Sequence, residues 1–339
     1  ERKEEPMDKI LLGHGGGGRL SQQLINDMFL RYFDNPVLNS LEDAAALALP
    51  HGRIAFTTDS YVVTPRFFPG GNIGKLAICG TVNDLAMRGA YPRYLSAGFI
   101  IEEGFSLSEL EEIVRTMAHT AAAAGVQIVT GDTKVVGKGA ADGMFINTAG
   151  IGVLDEHVSI SAANAQPGDK VIISGTIGDH GMTILSLREG LSFKANLESD
   201  CAPLNGLVGE LLRFKQDIHV LRDPTRGGVA STLNEIAASS KTGMMINETS
   251  LPLKPQVKAS CELLGLDPLH LANEGKLIAV VAGSVAEQVL AVFQGHEYGK
   301  DARIIGEVTA DTRRVALRTF IGSTRIIDIS SGELLPRIC

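Results

Sequence analysis

Tryptophan is absent from this 339-residue sequence, and aromatic residues make up only 5% of it. No aromatic stacking surface or membrane belt is therefore advertised. Positive charge is also scarce: 31 Lys and Arg stand against 39 Asp and Glu, a formal net charge of −8. That balance argues against a general nucleic-acid binder, which needs clustered cations to neutralise phosphates. No apolar run approaches the roughly 20 residues that span a bilayer. The opening "ERKEEPMDKI" lacks the apolar stretch of a secretory signal. The four cysteines, Cys79, Cys201, Cys261 and Cys339, form no CxxC pair, so a zinc knuckle or redox dithiol is not expected. Reduced thiols, no nucleic-acid partner, no membrane and a cytoplasmic location are the expectation. Cys79 and Cys261 sit in apolar helical patterns and read as small core residues; Cys201 lies in a loop and stays undecided.

What is present is an α/β rhythm. Leu20, Leu24, Met28 and Tyr32 recur at helical spacing. "RIAFTTD" and "RYLSAGFIIE" read as strands, and "NIGKLAICGTVNDLAMRG" as a helix stopped at Gly89. Ser106 and Glu109 form a capping box for a helix that closes at Gly125. "VQIVTGD" and "MFINTAGIGVL" are further strands. After the polar seam at 155–167 the rhythm resumes: "KVIISG" as a buried strand, Asp179–Leu187 as a helix, helices from near Leu204 and Gly228, and "KLIAVVAG" as a strand. The expected divisions are 1–9, disordered or foreign to the natural protein; 10–155; 168–329; and a mobile tail over 330–339.

Four stretches suggest chemistry. "GHGGGGR" (Gly13–Arg19) precedes a helix, so bare amides, a helix N-terminus and Arg19 could meet an anion, although neither a Walker loop nor a dinucleotide motif is present. Asp43, Asp59, Asp84 and Asp132 sit at strand and loop ends. Singly each reads as a turn residue; together they could converge on hard cations such as Mg²⁺, with Lys134 as a point charge on a phosphate. In "LRDPTRGGVA", Asp223 can cap, Thr225 and Arg226 can reach a phosphate, and Gly227–Gly228 opens a helix. "GTIGDHG" has the same loop-to-helix form and is expected to expose Asp179 and His180. Finally, Glu274 in "ANEGKLIAVV" lies where a general base, or merely a turn carboxylate, would sit.

These segments, with "LEDAA", "TTDSYVV", "TGDTKVV" and the closing "LPRIC", occur in the order of one family. From about Leu12 to Cys339 the chain resembles the aminoimidazole-ribonucleotide-synthetase-like ATPase superfamily. "PRIC" at the end is similar to its carbamoyl dehydratase branch, which serves the maturation of nickel–iron hydrogenases. The resemblance implies a two-domain fold: an α/β N-terminal domain whose sheet pairs in a homodimer, a C-terminal α+β domain, and a flexible tail. It implies ATP and Mg²⁺ as cofactors. It further implies that a carbamoyltransferase, HypF, loads Cys339, that ATP drives dehydration of the S-carboxamide to a thiocyanate, and that a HypC–HypD complex receives the cyano group. By the same resemblance Cys339, Glu274 and Lys134 are catalytic. Gly15, Gly16, Gly17, Gly18, Arg19, Asn83, Asn147, Asp179, Thr225, Arg226 and Gly227 bind nucleotide, and Asp43, Asp59, Asp84 and Asp132 hold metal. The seven residue steps from Gly332 to Cys339 reach up to about 23 Å, enough for a swinging thiol. Arg337 favours its thiolate and the neighbouring α-carboxylate opposes it. The alternatives are another amide- or selenium-activating enzyme of the superfamily, a non-catalytic thiol carrier, or a cysteine hydrolase.

Overall fold

The computed structural model describes residues 9–16, 18–41, 44–50, 52–190, 197–311, 314–329 and 337–339. Two sheets organise the chain. The first has four strands in the order β1 (Arg53–Tyr61), β6 (Met144–Leu154), β4 (Ala90–Glu102) and β5 (Gln127–Val136). Its pairs are antiparallel except β4 with β5. A two-residue pair, β2 (Phe67–Phe68) with β3 (Gly71–Asn72), follows β1. β6 alternates strictly between buried and less buried residues, as a sheet with one covered face requires.

The cover is helical. After a short turn over Leu12–Gly15 come α1 (Arg19–Leu24), a π-helical stretch (Ile25–Leu30) and α2 (Arg31–Phe33). Then α3 (Ile73–Met87) and α4 (Leu107–Ala124) pack on the sheet and on each other. Asn72 starts α3 by accepting the Gly74 and Lys75 N–H groups at 2.9 and 3.1 Å, and Gly89 turns the chain away with φ +72°. Ser106 accepts the Glu109 N–H at 3.4 Å to start α4, which Gly125 ends in the left-handed region.

α3 is buried almost all round, because its first turns belong to the core of the first sheet and its last turn to a second core. In that second core Leu85, Ala86 and Met87 meet Leu204, Leu207 and Leu211. The helix therefore joins the two halves.

The second sheet has seven strands: β13 (Thr324–Ile326), β12 (Val315–Arg318), β9 (Gly243–Asn247), β11 (Arg303–Thr309), β7 (Lys170–Ile173), β10 (Ile278–Val281) and β8 (Ile218–Arg222), in that order. Only β12 with β9 is parallel. Around it lie α5 (Asp179–Arg188), α6 (Asn205–Leu211), α7 (Gly228–Ser240), α8 (Pro255–Leu264) and α9 (Ala286–Gly295). β10 is buried at every position, which explains its unbroken apolar reading. Cys79, Cys201 and Cys261 are all buried. Among the described residues no helix is long and apolar enough to cross a membrane.

Candidate active site

An acidic cleft forms where α3 meets the β8–α7 loop. Asp84, on α3, accepts the Thr57 hydroxyl of β1 at 2.9 Å. Burial raises its carboxyl, and Asp59 raises it further. Across a cavity of about 410 Å³ stand Asp223, Thr225 and Arg226. Burial, with Asp84 and Asp59 nearby, pushes Asp223 up to about 7. Glu274 belongs to the same field. It is 3% exposed, its Oε1 has no hydrogen-bond partner, and burial followed by Cys201, Asp200, Asp223 and Asp59 holds it well above the carboxylate range. A set of carboxyls that raise one another's pKa is what a hard cation or a proton-transfer site requires. Even so, among the described residues no three His, Cys, Asp or Glu side chains are already gathered as a metal cage.

Behind Glu274 lies a rigid support. Asp200 accepts the Glu274 N–H at 3.1 Å and faces Lys276 at 3.2 Å. Asn273 accepts the Gly178 N–H at 2.7 Å and donates to the Pro224 and Leu271 carbonyls. Gly275 is a necessity, since a Cβ there would sit 1.7 Å from the Asp200 carbonyl oxygen.

The last residues dock into this half. Val62 N–H donates to the main-chain oxygen of Cys339 at 3.0 Å, and Thr64 N–H to that of Arg337 at 3.3 Å. These bonds form a short antiparallel ladder just beyond β1. Arg337 pairs with Asp142, lies over the Phe145 ring and donates to the Val62 carbonyl at 2.9 Å. Ile338 is buried, and Cys339 packs against the first core.

A second cavity, of about 320 Å³, opens along β5. Apolar groups of the helical run, among them Ile25, Phe29 and Phe33, form its wall, with His14, Gly15, Asp132 and Lys134 at its rim. Gly15 is pressed on β5, where a Cβ would meet the Val135 nitrogen at 2.6 Å. Exposed Lys134 pairs with Asp132 at 3.2 Å.

The predicted residues thus divide into two groups. Asp59, Asp84, Thr225, Arg226, Gly227 and Glu274 surround or adjoin the acidic cleft. Gly15, Asp132 and Lys134 gather at β5, with Gly16 and Gly18 just before α1 and Arg19 as its first residue. Ser60, Asn147, Gly98 and Asp132 lie on one cross-strand row, so three strand spacings, about 14 Å, separate the two edges. Gly17 and Asp43 fall outside the described residues, as do residues 330–336 of the tail.

Two expectations need correction, the exposure of Asp179 and His180 and the capping role of Asp223. Asp179 and His180, expected to be exposed, are fully buried, because residues 199 and 338 close over the loop. Asp179 accepts from Thr176 at 2.6 Å and pairs with Lys254 at 2.8 Å. Asp223 does not cap α7, whose N-cap is Gly227, at φ +73°. Asn83 is engaged structurally: it donates to the Ala202 carbonyl and accepts the Leu204 N–H. Asn147 donates to the Asp59 carbonyl at 2.9 Å and to Ser60 at 3.0 Å on the open sheet face. Sequence reasoning did not find Asp200, Lys276 or Ser199. Their only local signal was proximity to quoted motifs, since the partners are far apart along the chain.

Residues 41–154 match the AIR synthase related protein N-terminal domain, and residues 166–317 its C-terminal domain. The chain is 53% identical over 333 residues to "Carbamoyl dehydratase HypE" of Cupriavidus necator, covering 98% of this chain and 95% of that protein. It belongs to the HypE family. The HypE of Escherichia coli K12 is 52% identical, over 98% of this chain and all of that one. A crystal structure of HypE in complex with ATP superposes with a TM-score of 0.94 at 52% identity, covering 97% and 99% of the two chains. A HypE–HypF complex gives 0.81 at 55% identity, covering 91% and 99%. HypE membership also establishes the two-domain fold expected from the motifs.

Proposed function

We propose that the chain dehydrates a carbamoyl group carried on Cys339 to a thiocyanate at the expense of ATP, and so supplies cyanide for the Fe(CN)2CO centre of nickel–iron hydrogenases. The observation that carries this reading is the inward tail. His180 binds the Ile338 carbonyl, and its partner Ser199 begins the segment whose next residues, Asp200 and Cys201, adjoin Glu274. A thiol-bound group and a buried carboxyl thus share one support.

The reaction converts S–C(=O)NH2 to S–C≡N, so both N–H protons and the amide oxygen must leave. When bound, ATP supplies the phosphoryl group that lets this oxygen depart as phosphate. Glu274 takes one proton from the amide nitrogen through its Oε1, which has no partner among the described residues, and burial, which holds its pKa up, makes it a stronger base once ionised; the second N–H proton leaves with the departing phosphate. Cys339 holds the reacting carbon in place, so the step needs no diffusional encounter. Lys134 carries fixed positive charge for the phosphoryl group or amide oxygen.

Mg²⁺ fits the acidic cleft. Asp59, Asp84 and Asp223 present hard oxygen donors, and a cation among them would offset the burial and the neighbouring Asp84 and Asp59 charges that together hold Asp223 near 7. Thr225, Arg226 and Gly227 would face the phosphates there, and Gly15, Gly16, Gly18 and Arg19 would cover the nucleotide at the apolar β5 cavity.

Those two halves sit on opposite edges of one sheet, which favours a homodimer. Ile54, Phe56, Tyr91 and Ile100 are exposed large side chains on β1 and β4. A second copy laid against this face, with its β5 beside β1, would bring Lys134 of that copy towards Asp59 of this one. Partners of the HypF and HypC–HypD kind suit a thiol that must be loaded and unloaded, and a cytoplasmic location suits reduced cysteines.

The test is intact and peptide mass spectrometry after incubation with a carbamoyl donor system and Mg-ATP. A carboxamide on Cys339 that loses one water only with ATP is the expected result. ATP hydrolysis with Cys339 unmodified would overturn the reading in favour of another superfamily substrate.

A further inference from the structure

The buried histidine at the start of α5 has no part in the chemistry above, yet it makes the deepest polar contact with the tail. Its Nε2 lies 2.8 Å from the Ile338 carbonyl oxygen, and its Nδ1 lies 2.8 Å from Ser199 Oγ. A carbonyl oxygen only accepts, so Nε2 must carry a proton. Ser199 Oγ already accepts the Cys201 N–H at 3.1 Å, which leaves its own hydroxyl proton for Nδ1. The polarity of the whole chain is thereby fixed, from Cys201 N–H through Ser199 and His180 to Ile338. Phe68 meets the imidazole ring nearly edge-on, with centroids 5.5 Å apart.

We propose that His180, as its Nε2–H tautomer, is a positioning residue that latches the tail inward by its main chain. The proposal rests on the reading that Cys339 works in the inward position. The contact is with a backbone carbonyl one residue before the cysteine. Three neighbouring contacts also reach the tail's main chain, Val62 N–H to Cys339, Thr64 N–H to Arg337, and Arg188 to the Arg337 carbonyl, while the Arg337 and Ile338 side chains add contacts of their own.

The latch should weaken in acid. Burial holds the docked imidazole below its usual range and outweighs the Ile338 carbonyl, whose hydrogen bond raises it. The charged groups that bear on it are Asp200, which favours protonation, and Arg188, which opposes it; Arg188 in turn faces Arg337 of the tail. Once the tail leaves, water reaches the ring and its pKa returns towards about 6.5. The undocked state then takes up a proton that the docked state refuses. Docking is thus at full strength above that value and is lost as pH falls below it.

The experiment measures alkylation of Cys339 by iodoacetamide in the full chain, without ATP or partners, read by mass spectrometry of the tail peptide. Buried Cys79, Cys201 and Cys261 serve as internal references. His180→Leu removes the donor, and alkylation should accelerate about tenfold. His180→Gln can still donate from a similar place, and should stay within about twofold of the parent at pH 7.5. The parent-to-Gln rate ratio cancels thiolate ionisation and should rise as pH falls to 5.5. Equal rates in a folded His180→Leu chain, or a flat ratio, would overturn the latch. If His180→Leu does not fold, Ser199→Ala decides: it leaves the ring in place and should accelerate alkylation severalfold, and no change would overturn the proposal. Dehydration on Cys339 with alkylation indifferent to His180 would sink the latch alone. The reverse pattern would sink the dehydratase reading alone.

Discussion

Asp200 accepts the main-chain N–H of Glu274 at 3.1 Å, while its other carboxylate oxygen faces the Lys276 ammonium at 3.2 Å. One buried carboxylate thus fixes the backbone of the candidate base and adds negative charge beside it. Burial opposes ionisation of Asp200, but Lys276, His180 and that N–H outweigh it and hold its pKa below the usual value. Among the described residues the Glu274 Oε1 has no hydrogen-bond partner, and burial above all holds its pKa up. Two neighbouring acids are driven in opposite directions, a pattern that assigns them different jobs.

Glu274→Gln should leave ATP binding intact and slow thiocyanate formation at least about 100-fold, the span of a lost general base. The base must be ionised to act. The parent's single-turnover rate should therefore climb with pH on a limb above the roughly 4.3 of an exposed glutamate. That limb should be missing from the variant's residual rate. Unchanged thiocyanate formation would remove Glu274 from the mechanism.

Asp200→Asn leaves Lys276 buried without its counter-charge, a defect that costs about 3 kcal/mol. The folded pKa of Asp200 is depressed, so its stabilisation is complete above the unfolded value of about 3.9 and disappears as pH falls through the folded one. Melting curves recorded between pH 7 and 3 should show an acid loss in the parent that is smaller in the variant. Parallel curves would refute the assignment.

Asp223, with its pKa near 7, is partly protonated at neutral pH and should release that proton when a divalent cation arrives. Titration calorimetry of Mg-ATP binding in buffers of different ionisation enthalpy counts the proton. Release should be largest near pH 7 and should vanish in Asp223→Asn, with weaker Mg²⁺ dependence. A buffer-independent heat in the parent would place the cation elsewhere.

A site shared between two copies makes a sharp prediction for mixtures. Lys134→Ala and Glu274→Gln chains, each inactive alone, should recover about a quarter of parental activity when unfolded together and refolded, because mixed dimers hold one intact site. No recovery would mean that both residues act within one chain. Phe56→Glu, on the exposed face of β1, should abolish the dimer by light scattering while the monomer still folds.

Much of the fold was legible because its signals are local. Asn72 and Gly89 bracket α3, Ser106 and Gly125 bracket α4, and the alternation along β6 marks a sheet with one covered face. Each depends on a few consecutive residues, and so does the motif order that marked the family. The site was legible as residue types rather than as a place. Glu274 stood out, but Asp200 is 74 residues away and nothing near either residue forecasts their pairing.

By itself, the sequence determined the α/β rhythm, the bounds of α3 and α4, the family and the acids, glycines and terminal cysteine available for chemistry. Only the tertiary structure decided which of them meet. The strand order β1-β6-β4-β5 puts two strands between Asp59 and Asp132, separating residues that had read as one metal set. His180 looked like a loop residue between glycines until residues 199 and 338 closed over it. Asp223 looked like a cap until Asp59 and Asp84 were found beside it. Propensity and capping act over a few residues and are written locally. Burial and charge coupling depend on distances between segments remote in sequence, and those distances exist only after the two cores have packed around α3.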